Sequence, residues 1–167
     1  LLIIPILISR FIITHEKKMV EAALGTATKN IVIVQPNIDP YTEKFTGSVE
    51  SQIQNLIALS EKQSDKNTAL VIWPETAIPV SINEEDFKNN LFYSPIWSFL
   101  NRHPYLSLLT GINSYKVYGT DKKKASKTAR HDMQSGIYYD EFNTAAFFES
   151  DTSIQLYHKA KLVPGVE

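Results

Sequence analysis

The chain has 167 residues, a net charge of −1 with the histidines neutral, 43 % apolar and 21 % charged residues, and no cysteine. That length allows one domain with a real core, and the charge balance gives no reason to expect nucleic-acid binding, which usually needs a basic surface. Without cysteine there is no disulfide framework, no thiolate metal site and no thiol catalysis by this chain alone.

Leu1–Thr14 is nearly all apolar, broken by Pro5, Ser9 and Arg10. It is shorter than the roughly 20 residues a bilayer-crossing helix needs, and it lacks the basic n-region and cleavage site of a signal peptide. The polar run His15-Glu16-Lys17-Lys18 follows at once. Residues 1–14 therefore read as the end of a transmembrane helix, with a core strand or helix and a reentrant segment as the alternatives. Residues 15–29 read as a linker.

Ile31-Val32-Ile33-Val34, bounded by Asn30 and Pro36, reads as a strand buried on both faces. Gln35–Pro40 must be a loop, since its prolines cannot donate to a ladder. Gly47–Lys62 has Val49, Ile53, Leu56 and Ile57 at helical spacing. Ala69–Trp73 is a second buried strand, stopped by Pro74. Glu84–Leu100 is a second predicted helix, its acidic first turn suited to the helix dipole and Pro95 dividing it. Leu106–Thr110 is a third strand. Tyr115–Arg130, rich in lysine, reads as a solvated loop or hairpin tip. Phe142–Glu149 and Ile154–Val163 form a closing hairpin around the turn Ser150–Ser153. Strand, helix, strand, helix, strand and hairpin, with strands apolar on both faces, argue an α/β layered fold with helices covering a sheet. Ligands in such folds sit at the carboxyl ends of strands.

Two residues stand where chemistry is expected. Glu75 follows four apolar residues and Pro74 at the end of the second strand. Burial there would raise its pKa and make it a general base; the plainer reading is a carboxylate capping the next turn. Lys159 shares a predicted strand face with Tyr157 and Lys161, opposite His158, Ala160 and Leu162. It is placed to hold a developing oxyanion, or to serve as an exposed basic edge that resists aggregation. The four histidines have no metal-ligand spacing, so no metal is expected. No phosphate loop or nucleophile elbow is present.

Gln35-Pro36-Asn37-Ile38, Trp73-Pro74-Glu75-Thr76, and Tyr157-His158-Lys159 with Leu162-Val163-Pro164 and Glu167, in that order, resemble the apolipoprotein N-acyltransferases. That family carries a nitrilase-like (carbon–nitrogen hydrolase) domain on a bundle of membrane helices. The resemblance covers most of Asn30–Glu167. It implies a nitrilase-like α-β-β-α sandwich of which residues 30–167 are the N-terminal part, and a triad in which Glu75 is the general base and Lys159 stabilises the tetrahedral intermediate. The third member, a cysteine, would lie downstream of Glu167, so the chain by itself is expected to be inert and hard to fold. Glu167 matches a supporting glutamate, although Pro164-Gly165-Val166-Glu167 stands where the family commonly has Pro-Phe-Gly-Glu. Phe45 falls near an aromatic of a substrate loop, and Asn143 resembles a strand-start asparagine with a structural role. The implied partners are a phospholipid acyl donor, a diacylglyceryl apolipoprotein acceptor and the membrane, with no cofactor, no metal and no nucleic acid. The implied place is the bacterial inner membrane, periplasmic side. A soluble nitrilase or amidase acting on a small amide is one alternative. A non-catalytic α/β binding module is the other, and it is disfavoured if Glu75 and Lys159 meet on one face of the sheet.

Overall fold

The structure, a computed structural model, describes residues 8–10, 29–37 and 48–160. The chain divides into two compact units, Leu1–Asn30 and Ile31–Glu167. In the first, the described residues include a short helical stretch at 8–10; the rest of the apolar opening and of the linker lies outside the described residues. Among the described residues, no helix is long and apolar enough to cross a membrane.

The second unit is built on a mixed sheet. Its strands are β1 (Asn30–Ile33), β2 (Thr68–Ile72), β3 (Ile78–Asn83), β4 (Ser107–Gly119), β5 (Arg130–His131), β6 (Tyr138–Phe148) and β7 (Ile154–His158). Two helices, α1 (Val49–Gln63) and α2 (Ser94–Arg102), accompany them. The sheet runs β1-β2-β4-β6-β5, with β3 continuing beside β4 and β7 beside β6. β2 and β3 pair with β4 in parallel, and β6 pairs antiparallel with β4, β5 and β7. It follows that β7 runs in the same direction as β2.

Helix α1 starts where Ser48 accepts a hydrogen bond from the Ser51 amide, which satisfies one of the helix's orphan donors. It buries Ile53, Leu56 and Ile57, the stripe its periodicity predicts. Helix α2 departs from the expected Glu84–Leu100. It begins only at Ser94, with Pro95 in its first turn rather than dividing it, because proline is tolerated where the amide is an orphan in any case. Glu84–Asp86 lie in turns, closed by the Asp86 amide donating to the Asn83 carbonyl.

The core lies between these helices and one face of the sheet. Burial alternates along β4, where Leu108, Thr110, Ile112 and Ser114 are buried, as a strand with one face packed must show. Phe148 is fully buried, in ring contact with Phe87, Tyr93 and Trp97. The expectation that the first strand is buried on both faces is not met among the described residues. β1 stands at the edge of the sheet, and Ile31 and Ile33 are 59 % and 75 % exposed. The described helices thus cover one face of the sheet. Tyr157 is likewise exposed on the other.

Two further expectations change. β4 and β6 are much longer than the runs Leu106–Thr110 and Phe142–Glu149, and their pairing extends to Gly119↔Tyr138. The start of the expected loop, residues 115–119, and Arg130 at its end are therefore ladder, which long-range pairing supplies and local polarity conceals. The lysine-rich tip beyond it is held by Asp140, which accepts hydrogen bonds from Tyr118, Ser126 and Thr128. Burial pushes the Asp140 carboxyl up, but those hydroxyls and the nearby Arg130 outweigh it and hold it below the ordinary carboxylate range. A depressed folded-state pKa stabilises the fold at pH values above the unfolded value, about 3.9, and that stability is lost as pH falls through the folded value. The Asp140 carboxyl resonance should therefore titrate below pH ~3.9, together with the amides of residues 126–128. A midpoint at or above that value would contradict the hydroxyl cradle.

Candidate active site

The site is assembled from the carboxyl ends of β2 and β7, two strands that run the same way. Trp73 is buried, and its indole Nε1 donates to Ser60 Oγ of α1 at 2.9 Å; Ser60 in turn donates to the Leu56 carbonyl. This buried relay fixes the exit of β2 against the helix. Pro74 then ends the ladder, and the chain turns over β4 at Gly111. The Gly111 amide donates to the Pro74 carbonyl and the Ala77 amide donates to the Gly111 carbonyl. A Cβ on Gly111 would lie 2.7 Å from Glu75 Cα and 2.8 Å from the Thr76 amide nitrogen, so only glycine fits beneath the turn. Thr76 has φ of +52°, a strained conformation for a β-branched residue. Backbone strain and close approach therefore converge on the residue next to Glu75 and on Glu75 itself.

Lys159 leaves β7 with its amide donating to the Asn143 carbonyl at 2.8 Å. Its Nζ reaches 3.7 Å from Glu75 Oε1. The Asn143 side-chain amide donates to the same Glu75 oxygen at 3.1 Å. Glu75, Asn143 and Lys159 line one cleft of about 350 Å³, whose apolar wall includes Ile72, Leu109 and Tyr157. The cleft combines a carboxylate, an ammonium and a carboxamide with an apolar surface. Chemically it can accept a proton at Glu75 and stabilise negative charge beside Lys159.

The burial expected for Glu75 is absent among the described residues, for its side chain is 65 % exposed. Burial alternates along the run before it, with Val71 and Trp73 buried and Ile72 facing the cleft, and Glu75 follows the ladder's end at Pro74. β7 ends at His158, so the strand expected to reach Val163 is shorter, and Lys159 lies just past its end. Asn143 is not a strand-start residue. It sits mid-strand in β6, opposite Asn113, and contacts Glu75 directly. The sequence gives it only a structural role by resemblance, because its partner is 68 residues away in the chain. Phe45, Lys161 and Glu167 lie outside the described residues. Among the described residues, no group of three or more His, Cys, Asp or Glu side chains could hold a metal ion.

No protein-family model matches the chain. It is 29 % identical over 138 residues to a curated protein from Chlorobaculum tepidum described as an apolipoprotein N-acyltransferase. That match takes in 80 % of this chain and 24 % of the relative, so the chain spans about a quarter of the length of the curated protein it matches. A solved structure of glutamine-dependent NAD+ synthetase from Acinetobacter baumannii, in complex with adenosine diphosphate, superposes on 72 % of the chain and 20 % of its own length, with a TM-score of 0.40 and 16 % identity. The chain is thus distantly similar to an apolipoprotein N-acyltransferase over most of its own length.

Proposed function

We propose that this chain is the first part of the catalytic domain of an apolipoprotein N-acyltransferase, with Glu75 and Lys159 as two members of its triad. The observation that carries the reading is the approach of the Lys159 ammonium to the Glu75 carboxylate at 3.7 Å on one face of the sheet. The similarity over 80 % of the chain supports it. A binding module has no need to bring these two groups together at a strained turn.

In this reading the nucleophile is a cysteine supplied from outside this chain, which has none. Glu75 takes the thiol proton, and the thiolate attacks the carbonyl carbon of a phospholipid ester. The negative charge that develops on the former carbonyl oxygen is held by the Lys159 ammonium. The intermediate collapses to a thioester as the lysophospholipid alkoxide leaves with the proton carried by Glu75. The amino group of a diacylglyceryl-cysteine lipoprotein then attacks the thioester, giving the amide and freeing the thiol. Two half-reactions at one site produce ping-pong kinetics. Glu167 would support the site, Phe45 would border the acyl chain, and residues 1–14 would end a membrane helix that places the site at the periplasmic surface of the inner membrane.

The test is acyl transfer from a phospholipid to a diacylglyceryl lipopeptide by the longer protein that carries this sequence. Glu75→Gln and Lys159→Ala should each lower the rate about 10²- to 10⁴-fold, the range for losing a general acid–base or charge-stabilising group. Near-normal transfer by Glu75→Gln, or ammonia release from small amides without acyl transfer, would overturn the assignment.

A further inference from the structure

On the sheet face opposite Glu75, the residue before Lys159 is tied into a polar cluster. His158 Nε2 lies 2.7 Å from Glu84 Oε1. Ser114 Oγ donates to the same Glu84 oxygen at 2.7 Å and lies 2.7 Å from Thr144 Oγ1. The imidazole rests flat on the Phe142 ring, with 3.9 Å between ring centres and 4° between planes. The Glu84 side chain is only 12 % exposed. Thr144 also borders the cleft around Glu75, but Glu84, Ser114, Phe142 and His158 do not line it.

The geometry gives this cluster a task. β7 has five residues and, among the described residues, pairs with β6 alone. Ile154 and Leu156 pack against the core and set the register of its first half. At the far end, where the chain leaves the sheet, the outward-facing Tyr157 is 72 % exposed and supplies little packing. Successive residues of an extended chain point to opposite faces, so a side chain held at position 158 on one face directs position 159 to the other. A slip of one residue would carry Lys159 away from Glu75. The backbone hydrogen bond from the Lys159 amide to the Asn143 carbonyl is made beside this anchor.

We infer that His158 is a positioning residue: its bond to Glu84 and its stacking on Phe142 fix the end of β7 so that the Lys159 ammonium stands beside Glu75. The inference rests on the proposed roles of Glu75 and Lys159 for its meaning, but it is tested without turnover. Glu84 and His158 are the hydrogen-bonded acid–imidazole pair of the cluster, and the Glu84 carboxylate also acts on Tyr118 of β4.

The experiment uses the longer protein that carries this sequence, isotopically labelled, and two readouts, the exchange rate of the Lys159 amide and the response of the Lys159 Nζ resonance to Glu75→Gln. His158→Phe keeps a ring on Phe142 and removes the hydrogen bond. It should speed Lys159 amide exchange about tenfold and abolish the Nζ response, while amides in the centre of β4 exchange as before. Glu84→Gln should do the same more weakly. His158→Gln, which restores a donor, should recover most of the Nζ response. If His158→Phe fails to fold, Glu84→Gln carries the test. An unchanged Nζ response in these variants, or equal acceleration of every amide, would overturn the positioning role alone. A wild-type Nζ resonance indifferent to Glu75→Gln would overturn the Glu75–Lys159 contact, and with it both proposals.

Discussion

Gly111→Ala is expected to separate Glu75 from Lys159 and to destabilise the unit by about 1–3 kcal/mol, the usual cost of forcing a group into a filled space. The new methyl would meet Glu75 Cα at 2.7 Å and the Thr76 nitrogen at 2.8 Å. Both are backbone atoms, so no side-chain rotation relieves the clash. Either β4 or the turn must move. β4 is held on both sides, by β2 and β3 on one and β6 on the other, whereas the turn rests on a strained Thr76 and ends a ladder at Pro74. The turn should therefore yield, taking with it the Gly111–Pro74 and Ala77–Gly111 hydrogen bonds. Urea unfolding reads the stability change, and the Asn143 side-chain amide resonances read the loss of its bond to Glu75. A variant as stable as the parent, with Asn143 unshifted, would show that the turn is looser than it stands.

Phe148→Ala should have the largest effect on stability. The ring is fully buried and meets Phe87, Tyr93 and Trp97 with centres 5.9, 6.0 and 5.3 Å away. Truncating such a residue costs about 3–5 kcal/mol, through lost transfer energy and the cavity left behind. Against a typical total of about 5–15 kcal/mol, that removes a large share. The melting midpoint should fall on the order of 10 °C. Phe148→Leu keeps most of the volume and should lose less. A drop of under about 3 °C for the alanine variant, within the range of an ordinary surface change, would mean that the aromatic cluster is not the mechanical centre of the core.

The parts of the fold legible from local pattern are those whose stabilising contacts recur at short range. Ile53, Leu56 and Ile57 identify α1 because helical spacing alone puts them on one face. The β-branched run at 31–34 and the apolar run ending at Trp73 identify strands, and Pro74 marks where the second must stop. β3 was not visible, because Ile78–Asn83 contains Pro79 and only a weak alternation; its pairing with β4 decides it. The acidic start at Glu84 suggested a helix dipole, yet Glu84 serves His158 and Ser114 instead.

Local pattern puts Glu75 just past a strand-like run, where α/β folds place ligands, and Lys159 on one face of another such run, and the chain holds no thiol nucleophile. That the two meet at 3.7 Å, that Glu75 stands exposed, that Asn143 bonds to it and that Gly111 lies beneath it are consequences of the folded arrangement alone. The physical reason is separation along the chain. Periodicity reports which face a residue takes, but the distance between two strand ends depends on order, register and twist, which are settled by pairings and packing among residues far apart in the sequence.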